Sequence, residues 1–214
     1  MTRNNLKRVV VLGSGNFGTC LAQHLSLLGH EVFLSCRSKD LVESINQNHR
    51  NNKYLKDIEL AKNLKAFLGV DKTKVLQADA LVFAIPTQFI REFLEEHKDL
   101  IQKKQLLIST AKGIEIGSQK FPLDIFKDCL GAELAKQAVC LSGPSFAIEV
   151  ASGQPTGVTA ASYLKSAAEK AQELFHAPYF RVYTSDDPRG LEIAGALKNI
   201  IAIAAGACDG LGFG

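Results

Sequence analysis

Apolar positions along the chain fall into short continuous runs that alternate with segments of helical spacing. Residues 7–12 and 31–36 are such runs, and between them Phe17, Leu21 and Leu25 recur at the spacing of a helix. The same rhythm continues to about residue 184. It predicts an α/β fold with a Rossmann-like, doubly wound and mostly parallel sheet, because buried parallel strands are apolar throughout and are joined by helices.

The individual elements follow from these patterns. The predicted strands are residues 7–12, 31–36, 63–68, 80–85, 105–109, 139–141, 156–161 and 179–184. The predicted helices are residues 17–28, 40–48, 71–77, 88–100, 121–130, 147–151 and 163–175. Residues 46–56 are polar and rich in asparagine, which indicates an exposed connection.

The rhythm breaks at Asp186-Asp187-Pro188, where an aspartate can cap a helix and a proline suits its first turn. A long helix with a nearly continuous apolar surface follows, and we expect its segment 200–207 to be buried. No run is long enough to cross a bilayer, and no signal peptide is visible. The chain therefore divides into a unit of residues 1–187 and a second unit that begins at residues 188–214.

Three glycines follow the first strand at the spacing G-x-G-x-x-G. Gly13 allows a tight turn, Gly15 lets the backbone approach a phosphate, and Gly18 lets the helix pack close to the strand. With Ser14 between them and a helix start behind them, they predict a site for the pyrophosphate of a dinucleotide. The alternative is a glycine turn with no ligand.

The end of the second strand bears on the choice of cofactor. An NAD site usually has Asp or Glu there, whereas this chain has Cys36-Arg37-Ser38-Lys39. Arg37 could pair with a 2′-phosphate, which favours NADP(H) and leaves NAD(H) possible. The alternative is that Arg37 is an ordinary surface residue at the start of a helix.

Four further residues each have two interpretations. Phe89 could pack on the cofactor or lie on the core face of its helix. Lys112 follows a strand end and could face the ligand crevice or be an exposed loop charge. Ser145 could bind a polar ligand or cap helix 147–151, and Lys198 is either functional or reaches solvent from the edge of an apolar helix.

Composition narrows the class of protein. The 214 residues are 46% hydrophobic and 22% charged, which is typical of a globular domain, and a scattered net charge of +3 argues against a nucleic-acid surface. The cysteines are odd in number and form no C-x-x-C pair, so we expect reduced core residues of a cytoplasmic protein and no metal site. They are Cys20, Cys36, Cys129, Cys140 and Cys208.

Taken together, the motifs resemble those of the NAD(P)-dependent glycerol-3-phosphate dehydrogenases. The resemblance runs in family order through residues 13–18, 85–90, 110–115, 141–147 and 195–200. It implies hydride transfer between NAD(P)H and dihydroxyacetone phosphate to give sn-glycerol 3-phosphate, a precursor of phospholipids. The cysteines, the charge and the run lengths described above add the expectation of a cytoplasmic protein without nucleic-acid or membrane partners, for which a homodimer is possible.

The resemblance also implies roles for individual residues. Lys198 matches the catalytic lysine, and Lys112 matches a lysine that contacts cofactor and substrate. Asn16, Phe17 and Ala147 fall on cofactor contacts, Arg37 on the 2′-phosphate side, and Gly143 and Ser145 on substrate contacts. An ammonium at Lys198 would stabilise the developing oxyanion and donate a proton, and burial in the apolar helix would favour its neutral form.

The sequence departs from the family in one respect. The family continues into an all-helical second domain that completes the site. Residues 188–214 would be only the first long helix of that domain, and the rest would be missing. An alternative is therefore a cofactor-binding fragment or sensor without turnover. A third interpretation is a reductase of the same fold with another small substrate.

Overall fold

The computed structural model describes residues 6–213, and its centre is a sheet of eight strands. Their spatial order is β10-β9-β8-β7-β6-β1-β2-β5, and a separate hairpin pairs β3 with β4. The strands are β1 (Arg8–Leu12), β2 (Glu31–Cys36), β3 (Arg50–Asn51), β4 (Leu55–Glu59), β5 (Lys65–Leu68), β6 (Ala80–Phe83), β7 (Leu106–Ser109), β8 (Val139–Ser142), β9 (Thr156–Ala161) and β10 (Phe180–Ser185).

Helices cover the sheet and connect its strands. They are α1 (Asn16–Leu27), α2 (Lys39–Asn48), α3 (Lys72–Gln77), α4 (Ile90–His97), α5 (Pro122–Leu130), α6 (Ala132–Lys136), α7 (Ala147–Ala151), α8 (Lys165–Phe175) and α9 (Pro188–Gly210). Short 3₁₀ turns, Thr87–Phe89 and Lys98–Leu100, flank α4, so the predicted helix 88–100 is in three pieces.

All strand pairs in the large sheet are parallel except β8 with β9. This confirms the predicted fold class. The strand order reverses at β1, which pairs with β2 on one side and with β6 on the other. In such sheets ligands bind beyond the carboxyl ends of the strands at this reversal.

Strand β1 shows why the sheet has a core on both faces. Val9 and Val11 pack into one cluster of buried side chains, and Val10 and Leu12 pack into the other. All four are at most 1% exposed. Because successive side chains of a strand point to opposite faces, a continuous apolar run is what a strand covered on both sides requires.

The cysteines meet the expectation only in part. All five are free, and Cys20, Cys36 and Cys140 are buried, as predicted. Burial raises the pKa of the Cys20 and Cys140 thiols to about 12, which makes them inert core residues. The prediction is wrong for Cys208, which is exposed on α9.

Candidate functional site

The glycine loop has the geometry that its spacing predicts. Gly13 has a φ of +108°, and a Cβ there would stand 2.5 Å from the carbonyl oxygen of Ala84. A Cβ on Gly18 would stand 2.0 Å from the oxygen of Gly13. A Cβ on Gly15 would meet nothing within 4 Å. Two glycines thus permit close packing, and the third faces open space that a phosphate could enter.

The start of α1 offers donors to an anion. Gly15 is the N-cap and provides no side-chain hydrogen bond, and the first helical bond runs from the Thr19 amide to the Gly15 oxygen at 2.9 Å. The amides of Asn16, Phe17 and Gly18 precede that bond and have no partner within residues 6–213. With the helix dipole behind them, they fit the pyrophosphate of a dinucleotide.

A buried asparagine supports this loop from a segment that the sequence did not single out. Asn51 is 0% exposed, and its Nδ2 donates to the Ser14 oxygen at 3.1 Å and to the Thr19 hydroxyl at 2.7 Å. The prediction of an exposed connection at 46–56 is therefore wrong at this residue and at Leu55, which is 3% exposed, because the β3–β4 hairpin packs onto α1. No local pattern marks it, since one asparagine among several carries no periodicity.

Arg37 lies between the carboxyl end of β2 and the start of α2. It is exposed and forms no ion pair among the described residues. Ser38 caps α2 by accepting from the Leu41 amide at 3.4 Å, so the arginine itself precedes the helix. Because β2 is next to β1, Arg37 lies on the glycine-loop side of the carboxyl edge.

Phe89 ends the 3₁₀ turn that follows β6, and it is 49% exposed. The core-face alternative is therefore wrong. Ile90 and Leu94 are the buried residues of α4, at 0% exposure. The regular helix starts at Ile90 rather than at residue 88, so Phe89 lies in the 3₁₀ turn and does not continue the buried face of α4.

Two lysines from distant segments converge at the same edge. The Nζ of Lys112, after β7, is 6.0 Å from the ring centroid of Phe17. Gly195 brings α9 against this segment, because a Cβ there would stand 3.3 Å from the Ser142 hydroxyl and 3.7 Å from Cγ of Lys112. Burial, and then the adjacent charge of Lys198, lower the pKa of Lys112.

Lys198 itself is exposed, which contradicts the expectation that it is buried. The physical reason is that α9 packs on the sheet only through its first turns. Glu192 is 5% exposed and accepts from the Leu123 amide at 2.9 Å, whereas Ile200 and Ile203 are 63% and 73% exposed. Burial raises the pKa of Glu192 to about 7.

The segment 200–207 is thus exposed among the described residues, and the prediction that it is buried is wrong. The prediction that no run is long enough to cross a bilayer is also wrong. By length and composition alone, α9 is long and apolar enough to cross a membrane. Core helices of globular proteins pass the same test. The predicted start of α9 is confirmed, since Asp187 caps it by accepting from the Gly190 amide at 2.8 Å.

The turn after β8 completes the edge. A Cβ on Gly143 would stand 2.7 Å from the Gly157 oxygen, so a side chain does not fit there. The Ser145 amide donates to the Gly143 oxygen at 3.0 Å, and the N-cap of α7 is Phe146. The cap alternative for Ser145 is therefore wrong. Ala147 opens α7, which packs against α1.

Comparison with known families identifies the chain. Residues 8–168 match the model described as the N-terminus of NAD-dependent glycerol-3-phosphate dehydrogenase, and residues 187–214 match the C-terminus of the same family. The chain belongs to this family. No group of three or more metal-ligating side chains that could hold a metal ion occurs within residues 6–213.

Individual glycerol-3-phosphate dehydrogenases agree with this assignment. Curated relatives named glycerol-3-phosphate dehydrogenase [NAD(P)+] from Lysinibacillus sphaericus and Bacillus subtilis are each 44% identical over 98% of this chain. The crystal structure of the Coxiella burnetii enzyme is 32% identical, with a TM-score of 0.86 over 98% of this chain and 63% of that one. The chain spans 62% and 60% of the length of the two curated relatives.

Proposed function

We propose that the protein transfers a hydride between NADP(H) and dihydroxyacetone phosphate, giving sn-glycerol 3-phosphate for phospholipid synthesis. The observation that carries the proposal is the packing of α9, which bears Lys198, at Gly195 against the Lys112 side chain, beside an uncapped glycine loop. The curated relatives carry the name of this activity. The family membership supports this substrate over that of another reductase with the same fold.

The glycine-loop side would hold the cofactor. Gly13, Ser14, Gly15 and Gly18 would shape the backbone around the pyrophosphate, and the α1 amides would donate to it. Further contacts to the cofactor would come from Asn16, Phe17, Phe89, Lys112 and Ala147. When bound, the nicotinamide supplies the hydride, and the protein supplies orientation and charge.

The lysine side would carry the acid–base chemistry. Lys198 would stabilise negative charge on the substrate oxygen and donate a proton to it in the reductive direction. Lys112 would contact both cofactor and substrate, and burial, together with the adjacent charge of Lys198, lowers its pKa. Gly143 and Ser145 would bind the substrate from the adjacent turn.

Several finer features belong to the proposal. Arg37 would favour NADP(H) over NAD(H) by pairing with the 2′-phosphate. Residues 1–187 would form the cofactor domain, and residues 188–214 would open the helical substrate domain, in line with the C-terminal family match. We further propose a cytoplasmic protein without nucleic-acid partners or membrane insertion, able to form a homodimer.

The test compares cofactor binding with turnover. In the longest expressed form of the protein, Lys198→Ala should lower kcat by roughly three orders of magnitude, because proton transfer and charge stabilisation are lost together. The dissociation constant for NADPH should change little. Lys165→Ala, an exposed lysine on α8, is the matched control and should keep full activity.

Two outcomes would contradict the proposal. Near-normal turnover in Lys198→Ala would remove that residue from the chemistry. NADPH binding by the parent protein, with no reduction of dihydroxyacetone phosphate, would favour the alternative of a cofactor-binding fragment or sensor. A panel of other small carbonyl substrates would then show whether a different reductase activity is present.

A further inference from the structure

The segment that carries Lys112 has no regular structure of its own. Residues 110–121 contain neither helix nor strand, and Gly113, Gly117 and Gln119 have positive φ values of 103°, 91° and 57°. Gly113 directly follows Lys112, and glycine leaves the backbone free to adopt many conformations. The position of the lysine must therefore be set by contacts from elsewhere in the chain.

The 3₁₀ turn after β6 supplies the first of these contacts. The Thr87 hydroxyl donates to the main-chain oxygen of Lys112 at 2.9 Å. Gln88 holds the next stretch at two points, because its Nε2 donates to the Ile114 oxygen at 2.8 Å and its Oε1 accepts from the Ile116 amide at 2.9 Å. One turn thus fixes three main-chain groups on both sides of Gly113.

An ion pair fixes the middle of the segment. The Arg91 Nε lies 3.1 Å from each carboxylate oxygen of Glu115, and its Nη2 lies 2.9 Å from Oε2. The Arg91 Nη2 also reaches Asp128 at 3.0 Å, and Ser118 donates to Glu115. Glu115 is only 8% exposed. A carboxylate this buried depends on the planar, bidentate guanidinium, and Arg91 lowers its pKa.

We propose that Arg91, acting through Glu115, is a positioning residue that sets where the Lys112 amine stands at the site. This inference rests on the proposed function, in which Lys112 contacts cofactor and substrate. Arg91 touches neither lysine. It acts on a segment that Thr87 holds at Lys112 and that Gln88 holds on both sides of Glu115, so Arg91, Gln88 and Thr87 together form one clamp.

The main variant is Arg91→Lys, which keeps the charge and loses the bidentate geometry. Arg8→Lys is the matched control, because Arg8 pairs with Glu31 at 2.7 Å at the opposite end of the sheet. Thr87→Val is a second, uncharged variant that removes only the hydrogen bond to Lys112. It keeps the inference testable if Arg91→Lys folds poorly.

Two readouts are taken on the complete protein. The first is the pKa of the Lys112 amine, followed by NMR after reductive ¹³C-methylation and assigned from the signal lost in Lys112→Arg. A loosened segment exposes the amine, so its pKa should rise toward the ordinary lysine value. The second is kinetic, and we expect kcat to fall roughly 10-fold or more.

The outcomes separate this inference from the proposed function. A lower melting temperature with unchanged Lys112 pKa and unchanged kcat in both variants would overturn the inference, since Arg91 would then be only structural. If Arg91→Lys shifts the pKa of Lys112 but the parent protein shows no turnover, the proposed function is overturned and the positioning role stands. In Arg8→Lys, both readouts should match the parent.

Discussion

Two loops at the carboxyl edge of the sheet are built in different ways. The loop after β1 spans a few residues, and backbone packs directly against backbone at Gly13 and Gly18. The loop after β7 spans about a dozen residues and is held by side chains of the segment 87–91. The first is specified by local glycine spacing, and the second by contacts between residues some 25 positions apart.

This difference explains what could be predicted from the sequence. The glycine loop, the order of strands and helices and the start of α9 follow from periodicity and from local turn and cap residues, and the structure agrees with them. The clamp on the Lys112 segment and the burial of Asn51 depend on long-range hydrogen bonds between polar residues. Such residues have no periodic signature, so their partners become visible only in the fold.

The same limit explains the wrong predictions on α9. The apolar surface of residues 200–207 has the composition of a buried helix, and composition does not tell which segment covers it. Phe89 is a similar case, because it lies in a 3₁₀ turn before α4 and does not continue the face on which Ile90 and Leu94 are buried.

The sharpest test of the comparison uses two glycines of one loop and the same added methyl group. Gly18→Ala should lower the free energy of unfolding by about 2 kcal/mol or more, because its Cβ would overlap the Gly13 oxygen. Gly15→Ala should leave stability within about 0.5 kcal/mol, because its φ of −68° suits alanine and the space is open.

Gly15→Ala, which should hardly change stability, should have a large effect on cofactor affinity. Its methyl group would occupy the space proposed for a phosphate, so the dissociation constant for NADPH should rise roughly 10-fold or more. Urea unfolding and NADPH fluorescence titration measure the two quantities. Normal NADPH binding by Gly15→Ala would show that the open space above this loop does not hold the pyrophosphate.

A smaller effect tests whether the glycine loop is wholly local. Asn51→Ala removes a buried amide that donates to Ser14 and Thr19, and it should cost about 1–3 kcal/mol of unfolding free energy. It should also weaken NADPH binding several-fold. Asn63→Ala is the control, since Asn63 donates to the Ser26 oxygen at the other end of α1. Equal NADPH affinities in both variants would mean that the loop needs no support from the β3–β4 hairpin.

A substitution that should not change stability separates the two sides of the site. Arg37→Glu places a carboxylate where the 2′-phosphate is proposed to lie, so the ratio of NADPH to NADH dissociation constants should rise roughly 10-fold. Stability should not change, because Arg37 is exposed and forms no ion pair among the described residues. Arg181→Glu, the same charge change on β10, should leave the ratio untouched. Since Arg37 lies beyond β2 and the lysines lie beyond β7 and on α9, the NADH-dependent kcat should also be unaffected. A fall in that rate would show that the two sides are coupled through more than the cofactor between them.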